Sequence, residues 1–382
     1  MNDFEPDSSA TEAVSTTARQ TAGGFERGGV ASKPNTAFIG PFGLRAGWGI
    51  LLYLLLFAVL VGVAEISALG MGGRLYETLH DTAPARAAQT AARPAPPSLQ
   101  TPASNVVELR PTLLNEGLQA LFVVLATAAL ALVERRRMRV YGYSGRAWSD
   151  VARGALWGFL ALSVVAGLLR ATHHLVFDQR LISGPEAYKY GALWLLCFFC
   201  VGLFEEGLFR GYLLTALTRG LMRVGPDVDP RDAFNAAFAV AGLLTSLLFF
   251  ISHTTNGGET PTGLFNVFLA GVIFCYAMWR TGAIWWGIGF HMAWDWSQSF
   301  LYGVADSGEV SAHRLFATHP VGSAVLSGGA AGPEGSLFAV PILLLVLGVL
   351  HVTMKGRELP LPELRADLPA APARLTVVPS PS

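Results

Sequence analysis

Eight apolar stretches constrain this chain more than any other feature of its sequence. They run roughly over 48–70, 113–133, 151–169, 190–217, 234–253, 264–279, 283–301 and 337–352. About 20 apolar residues in a helix cross the hydrocarbon core of a bilayer, and a helix satisfies its own backbone polar groups there. The expected fold is all-α: a polytopic transmembrane bundle of about eight helices over 46–355, with the lipid bilayer as its surroundings. Only 14% of the 382 residues are charged, against about 25% in soluble domains. The formal net charge is zero, which offers nothing to attract nucleic acid. The sequence says nothing about oligomeric state.

The flanks read differently. Residues 1–45 are rich in Ser, Thr, Ala and Gly without apolar period, as expected of a disordered tail. The first apolar run starts only near Trp48, so it reads as a retained helix rather than a cleaved leader. "TAPARAAQTAARPAPPSLQTPAS" reads as an extended, solvated loop, and 356–382 as a flexible tail. Arginines crowd alternate connections: Arg135, Arg136, Arg137, Arg139, Arg146 and Arg153, then Arg219, Arg223 and Arg231, then Arg280. "TTNGGETPTG", on the other side, has none. The positive-inside rule then puts both termini in the cytoplasm. Cys197 and Cys200 form C-x-x-C inside an apolar run, where they read as small packing residues. His173 and His174 read as surface residues, and "SGGAAGPEGS" as a loop lacking the Lys of a phosphate-binding loop.

Three groups of polar residues interrupt the apolar runs. "FEEGLFRGYL" places Glu205, Glu206 and Arg210 in the fourth stretch. An ionisable group near the bilayer centre costs roughly 2.5–3.5 kcal/mol on insertion scales, so each one asks for a function. Glu206 and Arg210, four apart, share a helix face and can pair; Glu205 points about 100° away and keeps its carboxylate free. "FFISH" sets Phe249 and His253 four apart at the end of the fifth stretch. "HMAWDW" sets His291 and Asp295 four apart in the seventh. A Glu, two His and an Asp converging from three helices can hold a water beside a polarised carbonyl, with Glu205 as base, His253 orienting the water and His291 with Asp295 steadying the oxyanion. The same residues can also serve purely structural ends: a helix ion pair, an interfacial histidine, a packing hydrogen bond.

E-E-x-x-x-R, F-x-x-x-H and H-x-x-x-D, in this order on successive apolar segments, resemble the CPBP family. These are the CAAX prenyl endoproteases and bacteriocin-processing enzymes, also called Abi proteins. The resemblance covers about 190–302. It implies an eight-helix intramembrane endopeptidase whose substrate is a peptide or membrane protein, in eukaryotes cut after the prenylated cysteine of a CAAX tail. It assigns Glu205 and His253 to water activation, His291 and Asp295 to the oxyanion, and Glu206 and Arg210 to supporting positions. The last motif residue is often Asn, whose amide can donate; an ionised Asp295 cannot, so it must be protonated, orient His291 or help hold a metal. The family's metalloprotease label implies Zn2+, with Glu205, His253, His291 and Asp295 as candidate ligands. There is no H-E-x-x-H, and a metal-free glutamate mechanism fits the same residues.

Depth poses a problem for this arrangement. Glu205 lies roughly 22 Å into its stretch, at 1.5 Å per residue, whereas His253 ends the fifth. Groups acting on one water share a depth. Either the fourth helix starts later than Tyr190, or the fifth continues past His253, or the orientation is reversed. Two other classes compete with the protease: a proton-coupled transporter, which would show an internal repeat, and a non-catalytic membrane scaffold.

Overall fold

The computed structural model describes residues 37–40, 43–70, 105–145, 147–222 and 228–354. The tail before 37, the Ala/Pro loop and the tail from 356 lie outside these. Each apolar stretch is a helix: α1 (Ala46–Gly70), α2 (Leu109–Val133), α3 (Ala147–Ala171), α4 (Gly184–Leu221), α5 (Pro230–His253), α6 (Pro261–Thr281), α7 (Trp285–Trp296, continued by a π-helix at Ser297–Leu301) and α8 (Ala339–Thr353). The six from α1 to α6 are long and apolar enough to cross a membrane. The chain is a multi-pass membrane protein.

Local chemistry sets the ends. α4, α5 and α6 each carry proline in their first turn, where no backbone N–H is required. Asp229 caps α5 by accepting from the Arg231 amide at 2.7 Å, and Thr260 caps α6 by accepting from Gly263 at 3.0 Å. Gly282 ends α6 at φ +69°, a conformation glycine adopts freely, which makes the abrupt turn into α7 possible.

The seventh and eighth apolar stretches form helices shorter than a crossing one, and for the seventh its surroundings explain why. α7 is the centre of the bundle. Trp286, Phe290 and Trp294 stack along it at 5.3 and 5.7 Å and are buried against α3, α6 and α8. A helix surrounded by protein need not match the thickness of lipid.

The α3–α7 crossing is made by glycines. A Cβ on Gly154 would lie 2.1 Å from the Trp286 carbonyl oxygen, and one on Gly158 2.2 Å from that of Phe290. The "GALWG" spacing is the small-residue signature that lets membrane helices touch backbone to backbone.

Short strands tie the connections. At one end, β1 (Ile39–Gly40) pairs antiparallel with β2 (Gly43–Leu44), inside the stretch expected to be tail. At the other, β3 (Asn105–Val107) runs parallel to β5 (Glu309–Ser311), and β4 (Leu175–Arg180) antiparallel to β6 (Phe316–Pro320). Residues 302–336 thus form a cap over the ends of α2, α5 and α6.

The cap answers the depth problem with neither a later start of the fourth helix nor an extension of the fifth. α4 starts at Gly184, earlier than expected, and α5 ends at His253. With 38 residues, α4 is about 57 Å long, against a hydrocarbon core of about 30 Å. Its first turns stand beside the cap: Tyr190 stacks on His313 at 4.1 Å, and the Trp194 indole donates to the Ala312 carbonyl at 2.9 Å. Glu205 and His253 meet because α4 overshoots its neighbours.

Two of the arginines read as loop charges pair inside the fold instead, Arg219 buried and Arg136 half-buried. Arg219 lies in the last turn of α4, 2.7 Å from Glu134, and Arg136 is 3.1 Å from the same carboxylate. Tyr212 donates to Glu134 at 3.0 Å and stacks on Tyr53 and Tyr141.

Replacing Gly158 by Val should cost about 1–3 kcal/mol through overpacking of the α3–α7 crossing. Thermal unfolding in detergent would show a lowered midpoint; an unchanged midpoint would mean that the crossing relaxes without cost.

Candidate active site

Glu206 and Arg210 are the most deeply buried ion pair of the site, 2.9 Å apart with side chains 1% and 0% exposed. The guanidinium lies over the Phe249 ring at 4.3 Å and faces Phe274 at 5.2 Å, so aromatic faces take up charge that the single carboxylate leaves unanswered. Room for the pair comes from glycines on facing helices. A Cβ on Gly271 would sit 3.0 Å from Arg210 Nη2, and one on Gly287 3.1 Å from Glu206 Oε2. Directly after Glu206 the helix widens into a π-helix over Gly207–Leu213. A second one follows Asp295 at Ser297–Leu301. Such widened turns are rare and gather at functional sites.

His291 sits among three carboxylates. Its Nδ1 is 3.6 Å from Glu206, and its Nε2 is 3.6 Å from Glu205 and 3.4 Å from Asp295. Phe274 stacks on the ring at 5.7 Å. On α5, His253 Nδ1 is 2.8 Å from the carbonyl of Phe249. A carbonyl only accepts, so Nδ1 carries the proton and Nε2 is left as an acceptor. Phe249 therefore serves both histidines and the arginine, with its ring 4.5 Å from His253 and 6.3 Å from His291.

Glu205, His253, His291 and Asp295 line one cavity of about 470 Å³. A recess of about 60 Å³ adjoins it, lined by His253, His291, Asp295, Asn266 and Phe249 among others. All seven residues singled out in the sequence belong to this cavity or to the layer directly beneath it.

Several wall residues escaped the sequence reading. Glu116 on α2 is an ionisable residue inside an apolar run, and the rule that flagged Glu205 applies to it equally. Asp306 and Glu334 come from the cap, where nothing in the local sequence marks them. The glycine cluster read as a loop does more than connect: it carries Glu334, and the Asn266 amide donates to the carbonyls of Glu334 and Ser336. Burial pushes the Asp306 carboxyl up, although the Ser299 hydroxyl, donating at 2.8 Å, works against this. Burial, then the charges of Asp306 and Glu259, hold the Glu334 carboxyl well above the usual carboxylate range.

Among the described residues, no group of three or more His, Cys, Asp or Glu is arranged to hold a metal ion. Glu206 is committed to Arg210, and His253 Nδ1 to a backbone carbonyl. No step below runs through a metal. The cysteines are free; Cys197 and Cys275 are buried.

The seven residues singled out in the sequence lie within one stretch, and 187–297 matches the family described as type II CAAX prenyl endopeptidase Rce1-like. The chain carries an Rce1-like domain. Within it fall α4 from its first turn, α5, α6 and most of α7. Glu116 and the cap carboxylates lie outside the Rce1-like match, which explains why motif reading did not reach them. No curated protein and no solved structure matches the chain.

Replacing Glu206 by Ala strands the Arg210 charge and should cost about 3–5 kcal/mol; replacing both by apolar residues, Glu206→Leu with Arg210→Met, should recover much of that loss. Thermal unfolding of the three proteins would check this, and a double variant no more stable than Glu206→Ala would refute it.

Proposed function

We propose that this protein is an intramembrane endopeptidase of the CAAX-protease type that hydrolyses a peptide bond with glutamate-activated water. The supporting observation is that Glu205, His253, His291 and Asp295, from three helices, line a single cavity beside a neutralised Glu206–Arg210 pair.

In this reading a water in the cavity gives its proton to Glu205 while its oxygen attacks the scissile carbonyl. His253 orients the water through Nε2, since Nδ1 is held by Phe249. The new C–O bond leaves a tetrahedral oxyanion, to which His291 donates. Asp295, 3.4 Å from His291, holds that ring in place, a role open to a carboxylate that cannot itself donate. Glu205 then passes its proton to the leaving amine as the C–N bond breaks. Each proton transfer of this kind contributes about 10²–10⁴-fold.

The arginine-rich connections lie at the opposite end of the bundle from the cap. With both termini cytoplasmic by the positive-inside rule, the cavity opens on the far side of the membrane. That favours a peptide or membrane-protein segment exposed there over a cytoplasmic prenylated tail.

Glu205→Gln keeps shape and removes the base. It should lower kcat on a cleavable peptide by at least about 10²-fold with folding intact; equal cleavage by both proteins would exclude Glu205 as the base. For orientation, a membrane-impermeant maleimide applied to intact cells should label Thr255→Cys in the loop after α5 and leave Arg137→Cys unlabelled. The reverse pattern would invert the topology.

A further inference from the structure

The cavity wall is dominated by acceptors. Glu116, Glu205, Asp295, Asp306, Glu309 and Glu334 contribute carboxylates from α2, α4, α7 and the cap, and no Lys or Arg lines it. The Lys/Arg ion pairs resolved among the described residues lie elsewhere, at Glu134, Asp150 and Glu206. Beside this cavity Asn266, 3% exposed, has both amide hydrogens committed to the Glu334 and Ser336 carbonyls at 2.8 and 3.0 Å. Its orientation is therefore fixed and its Oδ1 is left buried without a partner; the residue lines the recess that also holds His253, His291, Asp295 and Glu334. Buried acceptors in folded proteins are nearly always satisfied, so an acceptor held open this way calls for a donor from outside.

We infer that the cavity is built for a cationic peptide: a Lys or Arg side chain near the bond presented to Glu205 sits among Asp306, Glu309 and Glu334, while an N–H of the same peptide reaches Asn266 Oδ1. The inference rests on the reading of the site as a peptide hydrolase and names its substrate class. A bare metal ion needs a tight ligand set, and none is present among the described residues. An ammonium or guanidinium group carries several N–H donors and suits carboxylates spread over a wide cavity. Burial holds the Asp306 and Glu334 carboxyls up, the charges of Asp306 and Glu259 add to this at Glu334, and a seated cation works against that repulsion.

The test uses the full-length Glu205→Gln protein in nanodiscs, so that binding is read apart from turnover. Fluorescent peptides that differ only in Lys, norleucine or Glu, scanned through the positions flanking the centre, are titrated by anisotropy. The lysine series should bind about tenfold tighter than norleucine, with glutamate weakest, and the advantage should shrink with added salt. It should also shrink when Glu116→Gln and Glu309→Gln are added. Equal binding by the three series, including none by any, overturns the inference, as does a lysine advantage unchanged by the added pair. Wild-type cleavage of the same peptides reads the hydrolase separately: preference without cleavage rejects hydrolysis and retains the cationic site, and cleavage without preference does the opposite.

Discussion

A single buried ion pair, Glu206 with Arg210, is the interaction on which the rest of the site depends. Taking two charges out of water costs several kcal/mol per ion, and only a close partner with satisfied surroundings repays it. Here the partner is 2.9 Å away, with Phe249 over the guanidinium and glycines on α6 and α7 leaving room. The consequences spread outward. Phe249 is held between the arginine and both histidines, and Glu205, one residue before Glu206, lines the cavity beside His291.

The two ends of the bundle treat charge in opposite ways. At the end carrying the arginine-rich connections, Glu134 is answered by Arg219 and Arg136 and by the Tyr212 hydroxyl, all packed under a stack of tyrosines. That arrangement is closed, with both oxygens of Glu134 answered, and is suited to holding α1, α2 and α4 together. At the cap end, carboxylates gather around a cavity whose wall, among the described residues, has histidines as its basic groups. Polar groups at the first end tie helices together, whereas at the second the carboxylates gather around open space.

The cap also explains how helices of unequal length serve one site. α4 overshoots α5 and α6, and 302–336 fills the step, anchored by Trp194 to Ala312 and by Asn266 to the glycine-rich turn. The floor of the cavity comes from the membrane helices and its roof from loops. Water can reach Glu205 without any helix carrying a bare carboxylate into lipid.

Much of this was legible in the residues alone. Apolar length predicts the helices because bilayer thickness and the 1.5 Å rise leave little choice. The i, i+4 spacing of Glu206 and Arg210 predicts their pairing, since helix geometry is local. What the sequence could not supply was everything measured between elements that are distant along the chain. The shortness of α7 follows from its central burial, the sharing of one cavity by Glu205 and His253 follows from the overshoot of α4, and the recruitment of Asp306 and Glu334 follows from how the cap folds back. The sequence by itself determined a helical membrane bundle and the residues with chemistry to offer, because hydropathy and helical period act locally. Only the tertiary structure decided which of those residues face one another, because packing alone sets where helices of different length come to rest.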